Sequence, residues 1–231
     1  FQRKDFEWTT NFNISASRNK LVSYPGLESS TNANRYVVGQ PINIVKVYNY
    51  IGMNPTTGVY EFEDVNGDGV ITSIGDRTQI ADLSPDFFGG LQNNFKYKNL
   101  QLDFLFQFVK QESFGPTPGV PGTPVNQLAS VSNSDGQQPF TSGVNGDIIN
   151  AYYRYALSTG NIEDASYVRL KNISLTYDLP LEKRTGVRCQ LYLQGQNLLT
   201  FTNYSNGDPE FKFSNFLPPL KVYSAGVKLT L

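Results

Sequence analysis

Apolar and polar residues alternate with period two along much of this chain. In residues 6–16 the even positions are Phe6, Trp8, Thr10, Phe12, Ile14 and Ala16, and the odd positions are Glu7, Thr9, Asn11, Asn13 and Ser15. Successive side chains of a strand point to opposite faces, so this segment predicts a strand with one greasy and one polar side. Residues 100–108 repeat the pattern, with Leu100, Leu102, Phe104, Phe106 and Phe108 against Gln101, Asp103, Leu105 and Gln107. Residues 187–195 set Val187, Cys189, Leu191 and Leu193 against Arg188, Gln190, Tyr192 and Gln194. Residues 223–231 set Tyr223, Ala225, Val227, Leu229 and Leu231 against Ser224, Gly226, Lys228 and Thr230. Residues 89–97 alternate less cleanly, and residues 42–51 are β-rich but apolar on both parities; both are expected to be strands. In residues 167–179 the phase changes. Val168 and Leu170 share one parity, whereas Ile173, Leu175, Tyr177 and Leu179 share the other. One extra residue near 171–172 restores the face, which predicts a β-bulge there.

Connections come in two sizes. Residues 97–99 and 180–186 are short, while 52–87, 111–165 and 201–219 are long. Helical signal is confined to residues 147–157, inside the longest loop, and residues 115–124 are rich in Pro and Gly. Compact soluble domains rarely carry a loop of this length. Short turns at one end of the strands and long loops at the other are the asymmetry of a transmembrane β-barrel.

A soluble β-sandwich shares the alternation, with one face in its core and one in water. Composition weighs against it. Charged residues make up 17% of the chain, below the roughly 25% usual for soluble domains. The polar faces carry mainly Asn, Gln, Ser and Thr, which suits a water-filled lumen. The clean strands are also long enough to cross a bilayer at a tilt. The fold expected is therefore all-β: an antiparallel transmembrane barrel segment of about seven strands, too few to close alone. Phe104, Phe106, Phe108, Leu191, Leu193, Val227 and Leu229 are expected to face lipid. Trp8, Tyr97, Tyr177 and Tyr223 are candidates for interfacial girdles, with packing in a core as the alternative.

Net charge changes the picture by exclusion. With 19 basic and 20 acidic residues, the chain lacks the cationic face needed for nucleic acid or an anionic membrane surface. The absence of histidine removes His-dependent triads, imidazole acid–base chemistry and His-ligated zinc. Cys189 can form no internal disulfide and reads as a small apolar residue. Glu61, Glu63 and Asp64 cluster in sequence, but nothing marks a raised carboxylic acid, so no catalytic residue is expected.

Asp64-Val65-Asn66-Gly67-Asp68-Gly69-Val70-Ile71-Thr72 has the spacing of an EF-hand-type loop. It places Asp64, Asn66 and Asp68 at alternate positions, followed by the Val70 carbonyl and Thr72. Gly75 stands where a bidentate Glu belongs, and Asp76 is the substitute one residue later. Ca²⁺ binding by Asp64, Asn66, Asp68, Val70, Thr72 and Asp76 is one reading; a turn that satisfies its own backbone is the other. Tyr152, Tyr153 and Tyr155 lie in the longest loop. They could stack on a sugar or peptide substrate, or pack within the loop.

Several stretches, in order along nearly the whole chain, resemble the SusC/RagA-type TonB-dependent outer-membrane transporters of Bacteroidetes. They are WTTNFNIS (8–15), VGQP (38–41), DVNGDGVIT (64–72) with DRT (76–78), GGLQNNFKYKNL (89–100), ASYVRLKNISLTYDLP (165–180), and GQNLLTFTNY (195–204) with DPE (208–210). The resemblance implies the C-terminal part of a 22-stranded barrel, with residues 1–231 as one barrel piece and the plug domain upstream. It implies nutrient import across the outer membrane of a Gram-negative bacterium, of a glycan or a peptide. The implied partners are the remainder of the barrel, membrane lipid, a SusD-like surface lipoprotein, and TonB through the N-terminal part. The competing class is a secreted, calcium-stabilised β-sandwich that binds carbohydrate. As a barrel piece, the chain should leave residues 220–231 and the strand beginning near Phe6 with open edges.

Overall fold

A computed structural model describes residues 1–116, 146–181, 186–212 and 217–230. Most of the Pro- and Gly-rich stretch at 115–124, the centre of the 180–186 turn and Leu231 lie outside the described residues. In chain order the strands are β1 (Gln2–Arg3), β2 (Phe6–Ser15), β3 (Ile44–Val47), β4 (Tyr50–Met53), β5 (Tyr60–Phe62), β6 (Gln79–Asp82), β7 (Phe87–Tyr97), β8 (Leu100–Lys110) and β9 (Glu112–Phe114). Helix α1 (Gly146–Ala156) follows, then β10 (Ile162–Asp164), β11 (Tyr167–Leu179), β12 (Arg188–Thr202) and β13 (Val222–Thr230).

Seven strands form one antiparallel sheet in the order β1-β2-β7-β8-β11-β12-β13. Continuous register carries the alternation across it. One row runs Phe6, Tyr97, Leu100, Tyr177, Leu191 and Val227; the next row on that face runs Trp8, Phe95, Leu102, Leu175, Leu193 and Ala225. The opposite face carries rows such as Thr9, Asn94, Asp103, Ser174, Gln194 and Ser224. One side of the sheet is therefore apolar over its width and the other mainly polar, with scattered charges such as Lys96, Asp103 and Lys228.

The expected bulge is present. Leu170 pairs with Phe106 and Asn172 with Leu105, so Lys171 is the extra residue. On the other side Leu170 pairs with Leu199 and Asn172 with Gln196, and β12 accommodates the shift with Asn197 at φ 52°. Beyond the bulge both strands resume the same faces.

Residues 42–51 depart from expectation. They do not join the large sheet. Val45 and Val47 belong to β3, which pairs with β6, while Tyr50 belongs to β4, which pairs with β5. Apolar residues on both parities mean burial on both sides, which a lipid–lumen wall cannot provide and a small packed core can. β2 consequently pairs directly with β7. Six long strands and the two-residue β1 make up the sheet, and residues 16–86 form a single connection.

All long connections leave from one end of the sheet, and the short turns lie at the other, where Tyr97 pairs with Leu100 across Lys98 and Asn99. The loop end is itself folded. Val47, Ala81 and Leu83 form one small core, with Val45, Phe114 and Ile162 against it. Tyr48, Phe62 and Ala151 form another, with Tyr50, Tyr60 and Tyr155 among the side chains packed on it. These cores contain Val47, β6 and α1, so the loop connections pack on one another.

The large sheet has no such core. Leu193, Val227 and Leu229 are 57%, 60% and 64% exposed, and Leu191 is also exposed. Phe104, Phe106 and Phe108 are half-buried instead of fully exposed. They lie mid-sheet and pack sideways: Phe104 stacks on Phe95 at 5.9 Å, and Phe108 on Phe12 at 5.8 Å. Among the described residues no second sheet covers this face, so the sandwich reading has no structural basis here. Cys189 shares the apolar face, half-buried. Trp8, Tyr97, Tyr177 and Tyr223 are exposed on it.

Among the described residues both outer edges are open, and β13 pairs only with β12. β2 is covered only at its start, where Gln2 pairs with Glu7, Arg3 with Phe6, and Phe1 with Trp8 through backbone bonds. Residues 220–230 do not pair with 6–16, and the sheet does not close on itself.

Candidate functional site at the loop end

Where β11 leaves the sheet, its polar face carries Arg169, which is 1% exposed. Its neighbours Val168 and Leu170 face the other way. The guanidinium donates to Thr200 Oγ1 at 2.9 Å, to Glu210 at 2.6 Å, and to both Asp208 oxygens at 2.7 and 2.6 Å. Lys171 Nζ holds the two oxygens of Glu210 at 2.7 and 2.8 Å. Asp208 caps the short 3₁₀ turn Pro209–Phe211 by accepting from the Glu210 N–H. Two cations thus meet two carboxylates on a segment that folds back from β12 onto the sheet. A buried ion pair gains little over an apolar pair, but losing one partner strands a charge and costs about 3–5 kcal/mol.

The same segment is sewn to the base of the longest loop. Gln111 Nε2 donates to the Pro209 carbonyl at 2.8 Å, and Tyr204 Oη to the Phe114 carbonyl at 2.9 Å. Ser205 Oγ donates to Glu163 at 2.9 Å, and Asn206 Nδ2 to the Gly115 carbonyl at 3.0 Å. Burial raises the Tyr204 phenol above its ordinary pKa, so it stays a neutral donor. Lys212 donates to the Leu83 and Glu112 carbonyls, and burial pushes its ammonium below the usual lysine range. None of Arg169, Lys171, Asp208 and Glu210 was a sequence candidate for function. The available signal was an arginine and a lysine flanking Leu170 in a nearly uncharged strand, facing the DPE triplet one hairpin later.

The 64–76 loop is held by its own side chains. Asp64 accepts from the Gly67 and Gly69 N–H groups at 2.8 and 2.7 Å. Asp68 accepts from the Val70 N–H and from Asn66 Nδ2, both at 2.8 Å. Asp76 is fully buried and accepts from Val65 and Thr72 N–H at 2.9 and 2.6 Å. The bond from Thr72 is the main reason its carboxyl sits below the ordinary value. Gly75 packs against Asn66 Nδ2, where a Cβ would stand only 2.7 Å away. Five backbone N–H groups and the Asn66 side-chain amide therefore already occupy the carboxylates proposed as ligands. Among the described residues no three acidic or cysteine side chains converge as a metal group.

The three loop tyrosines divide. Tyr152 is buried against Tyr60 at 4.9 Å. Tyr155 stacks on Tyr60 at 4.2 Å, meets Tyr50 edge-on at 5.1 Å, and donates to the Gly160 carbonyl at 2.8 Å. Both rings pack within the loop body, Tyr152 buried and Tyr155 half-buried. Tyr153 is 60% exposed and alone retains the geometry for contact. Helical spacing explains the split, since Tyr152 and Tyr155 share a face and Tyr153 does not. Glu61 and Glu63 accept from Asn54 and Asn49 respectively and face no reactive partner.

An antiparallel wall with an apolar face, a mainly polar opposite face, long folded loops at one end and open edges defines part of a transmembrane β-barrel. Comparison with known proteins agrees. A TonB-dependent receptor, P3 of Formosa agariphila, is 33% identical over 92% of this chain. A second receptor of that organism, P26, is 25% identical over 89%. The RagAB peptide transporter matches in structure with a TM-score of 0.73 at 24% identity over 99% of the chain, which establishes the fold. No family model matches. The chain is homologous to TonB-dependent receptors over nearly its whole length, and it spans about a quarter of the length of these relatives.

Proposed function

We propose that this chain is the C-terminal wall and loop end of a SusC/RagA-type importer that carries a glycan or peptide across the outer membrane. The observation that carries the reading is the inverted sheet: apolar rows such as Phe6 to Val227 that no second sheet covers among the described residues on one side, and mainly polar rows on the other. Lipid solvates the first face, and an aqueous lumen the second. The loop end, with its own cores, faces the outside, and the two-residue turn faces the periplasm. The remainder of the barrel pairs with the open edges of β2 and β13. A SusD-like lipoprotein sits over the loop body, and TonB acts through the N-terminal part of the protein. No catalytic residue is proposed.

The test is expression of the full-length gene in a Gram-negative host. The product should fractionate with the outer membrane, migrate as a heat-modifiable barrel, and support uptake only with TonB. A product soluble without detergent would favour the secreted carbohydrate-binding module.

For the 64–76 loop we propose a structural role in shaping the loop body, with Ca²⁺ on Asp64, Asn66, Asp68, Val70, Thr72 and Asp76 as the alternative. The bonds from Asp64, Asp68 and Asp76 to backbone N–H groups support the first. Calorimetric titration with CaCl₂ separates the two: saturable heat at micromolar calcium favours the metal.

A further inference from the structure

At its loop end the apolar face of the wall carries a groove of about 420 Å³ over β8, β11 and β12, within the size range of small-ligand sites. Register explains its shape. Phe108, Val168 and Phe201 are cross-strand neighbours in one row, so the shorter valine lies between two rings. On its other side Phe108 pairs with Gly89 and leans over it: a Cβ there would stand 2.5 Å from the ring. The ring also stacks on Phe12, one strand further out. Phe108 is thereby drawn away from Val168, and the floor of the groove stays open, with Val168 41% and Phe201 61% exposed. These strands lie inside the sheet, away from its open edges, and the face is turned from the lumen, so nothing housed inside the barrel reaches it.

The groove ends in charge. Along β8 and β11 the apolar face carries no charged residue from the two-residue turn up to Phe108 and Val168. Just beyond them Lys110 Nζ meets Asp164 at 3.0 Å, both side chains about half exposed at the rim. The other Asp164 oxygen accepts from the Ser166 N–H at 2.8 Å, which fixes the carboxylate. Depth agrees with this gradient. The ten steps from Leu100 to Lys110 cover about 33 Å of strand, and about 25 Å of depth at a tilt of about 40°, which is the height of the apolar band on such barrels. With Leu100 and Tyr177 at one interface, the Lys110–Asp164 pair therefore lies at the level of the lipid headgroups on the loop side.

We infer that this groove seats one lipid molecule, with an acyl chain along Val168 between the two rings and a phosphoethanolamine headgroup on Lys110 and Asp164, an inference that rests on the outer-membrane reading. A lysine alone would take any phosphate. The carboxylate beside it repels a further anion and accepts from an ammonium, so the pair fits a headgroup that carries both charges. A primary ammonium donates hydrogen bonds to Asp164, which a quaternary one cannot do. The rest of the apolar face meets lipid without distinguishing one headgroup from another; here a single molecule is held at both its chain and its head.

The experiment is native mass spectrometry of the full-length transporter in detergent, titrated with phosphatidylethanolamine, phosphatidylglycerol and phosphatidylcholine of equal acyl length. Wild type should take one phosphatidylethanolamine about fivefold more tightly than either other lipid, the scale of one exposed charge pair. Lys110→Ala should abolish that preference. Asp164→Asn should remove the advantage over phosphatidylglycerol, because the lysine then stands alone. Val168→Trp should lose the tight molecule with both charges intact. All three positions are at the surface, so the variants should keep the heat-modifiable migration of a folded barrel. Equal binding of the three lipids by wild type overturns the inference, and so does a preference that survives Lys110→Ala or Val168→Trp. A changed oligomeric state in Val168→Trp with unaltered lipid preference assigns the groove to a second copy and overturns it too. Wild-type uptake separates the two levels: TonB-dependent import without the lipid preference removes the groove and leaves the importer standing, whereas a protein that is not an outer-membrane barrel removes both.

Discussion

The large sheet and the loop body use the same apolar residue types in opposite ways. In the loop body Val47, Phe62 and Leu83 are buried among other side chains, and burial from water stabilises them. In the sheet Leu193, Val227 and Leu229 are turned outward, where only lipid would cover them. The first region resembles a small soluble domain built from loops, and the second a partition between two solvents. One is held by packing, the other by continuous backbone pairing and by the bilayer. The difference shows that hydrophobicity alone does not identify a core; the parity of the apolar positions does. Strict alternation produces a partition, and apolar residues on both parities produce a packed element such as β3.

The largest expected effect tests the joint between the two regions. Arg169→Ala should destabilise the 203–212 segment by about 3–5 kcal/mol, because Asp208 and Glu210 lose their buried cation. Hydrogen exchange in the full-length barrel should rise there while the central strands stay protected. Equal exchange across the molecule would mean that wall and loops unfold as one. Next comes the apolar face: Leu193→Arg should cost roughly 2 kcal/mol in a bilayer, whereas Ile74→Arg in the loop body should change stability by under about 0.5 kcal/mol. Folding titrations in lipid vesicles would show whether the two exposed apolar sites differ. Smaller still, Tyr155→Phe removes the bond to the Gly160 carbonyl and should cost about 1 kcal/mol, while Tyr153→Ala should leave stability unchanged. A substrate affinity that falls only for Tyr153→Ala would assign it to contact.

The smallest effect is in pH. Asp76 is held below the ordinary 3.8 by backbone bonds, chiefly from Thr72. Its contribution is fully present above that value and is lost as pH falls below it through the depressed folded pKa. The protection factors of the Val65 and Thr72 amides should therefore fall below about pH 4 and stay constant between pH 5 and 8.

Most of the wall was legible because alternation is a local signal that one register propagates. Phe6 through Ile14, Leu100 through Phe108, and the phase change at Lys171 each located a strand or its bulge. The loop body was not legible. β3 pairs with β6 from more than thirty residues away, and its core includes Phe114 and Ile162 from either side of the longest loop. The segment 42–51 consequently read as a seventh wall strand. Of the candidate site, the tyrosines were found, but their burial depends on Tyr60, a contact no periodicity encodes. The Arg169 cluster was visible only as two separate motifs. Their pairing required the turn back from β12, which follows from tertiary structure.

The lopsided distribution of connections also orders the events by which the chain is built. β7 and β8 meet across two residues, whereas β8 and β11 meet only after residues 111–166 are looped out. On loop-length scaling the second closure carries about 3 kcal/mol more entropy loss than the first. The β7–β8 hairpin should therefore form early, the β11–β12 hairpin independently, and the seam between them late, which pulse-labelled exchange during insertion would reveal as delayed protection of Leu102 and Leu175. During that interval the bulged strand that carries Arg169 waits for β8, and the loop body cannot lock. The long loops thereby set the tempo of assembly: the wall matures as two halves, and the loop body is the last part to close.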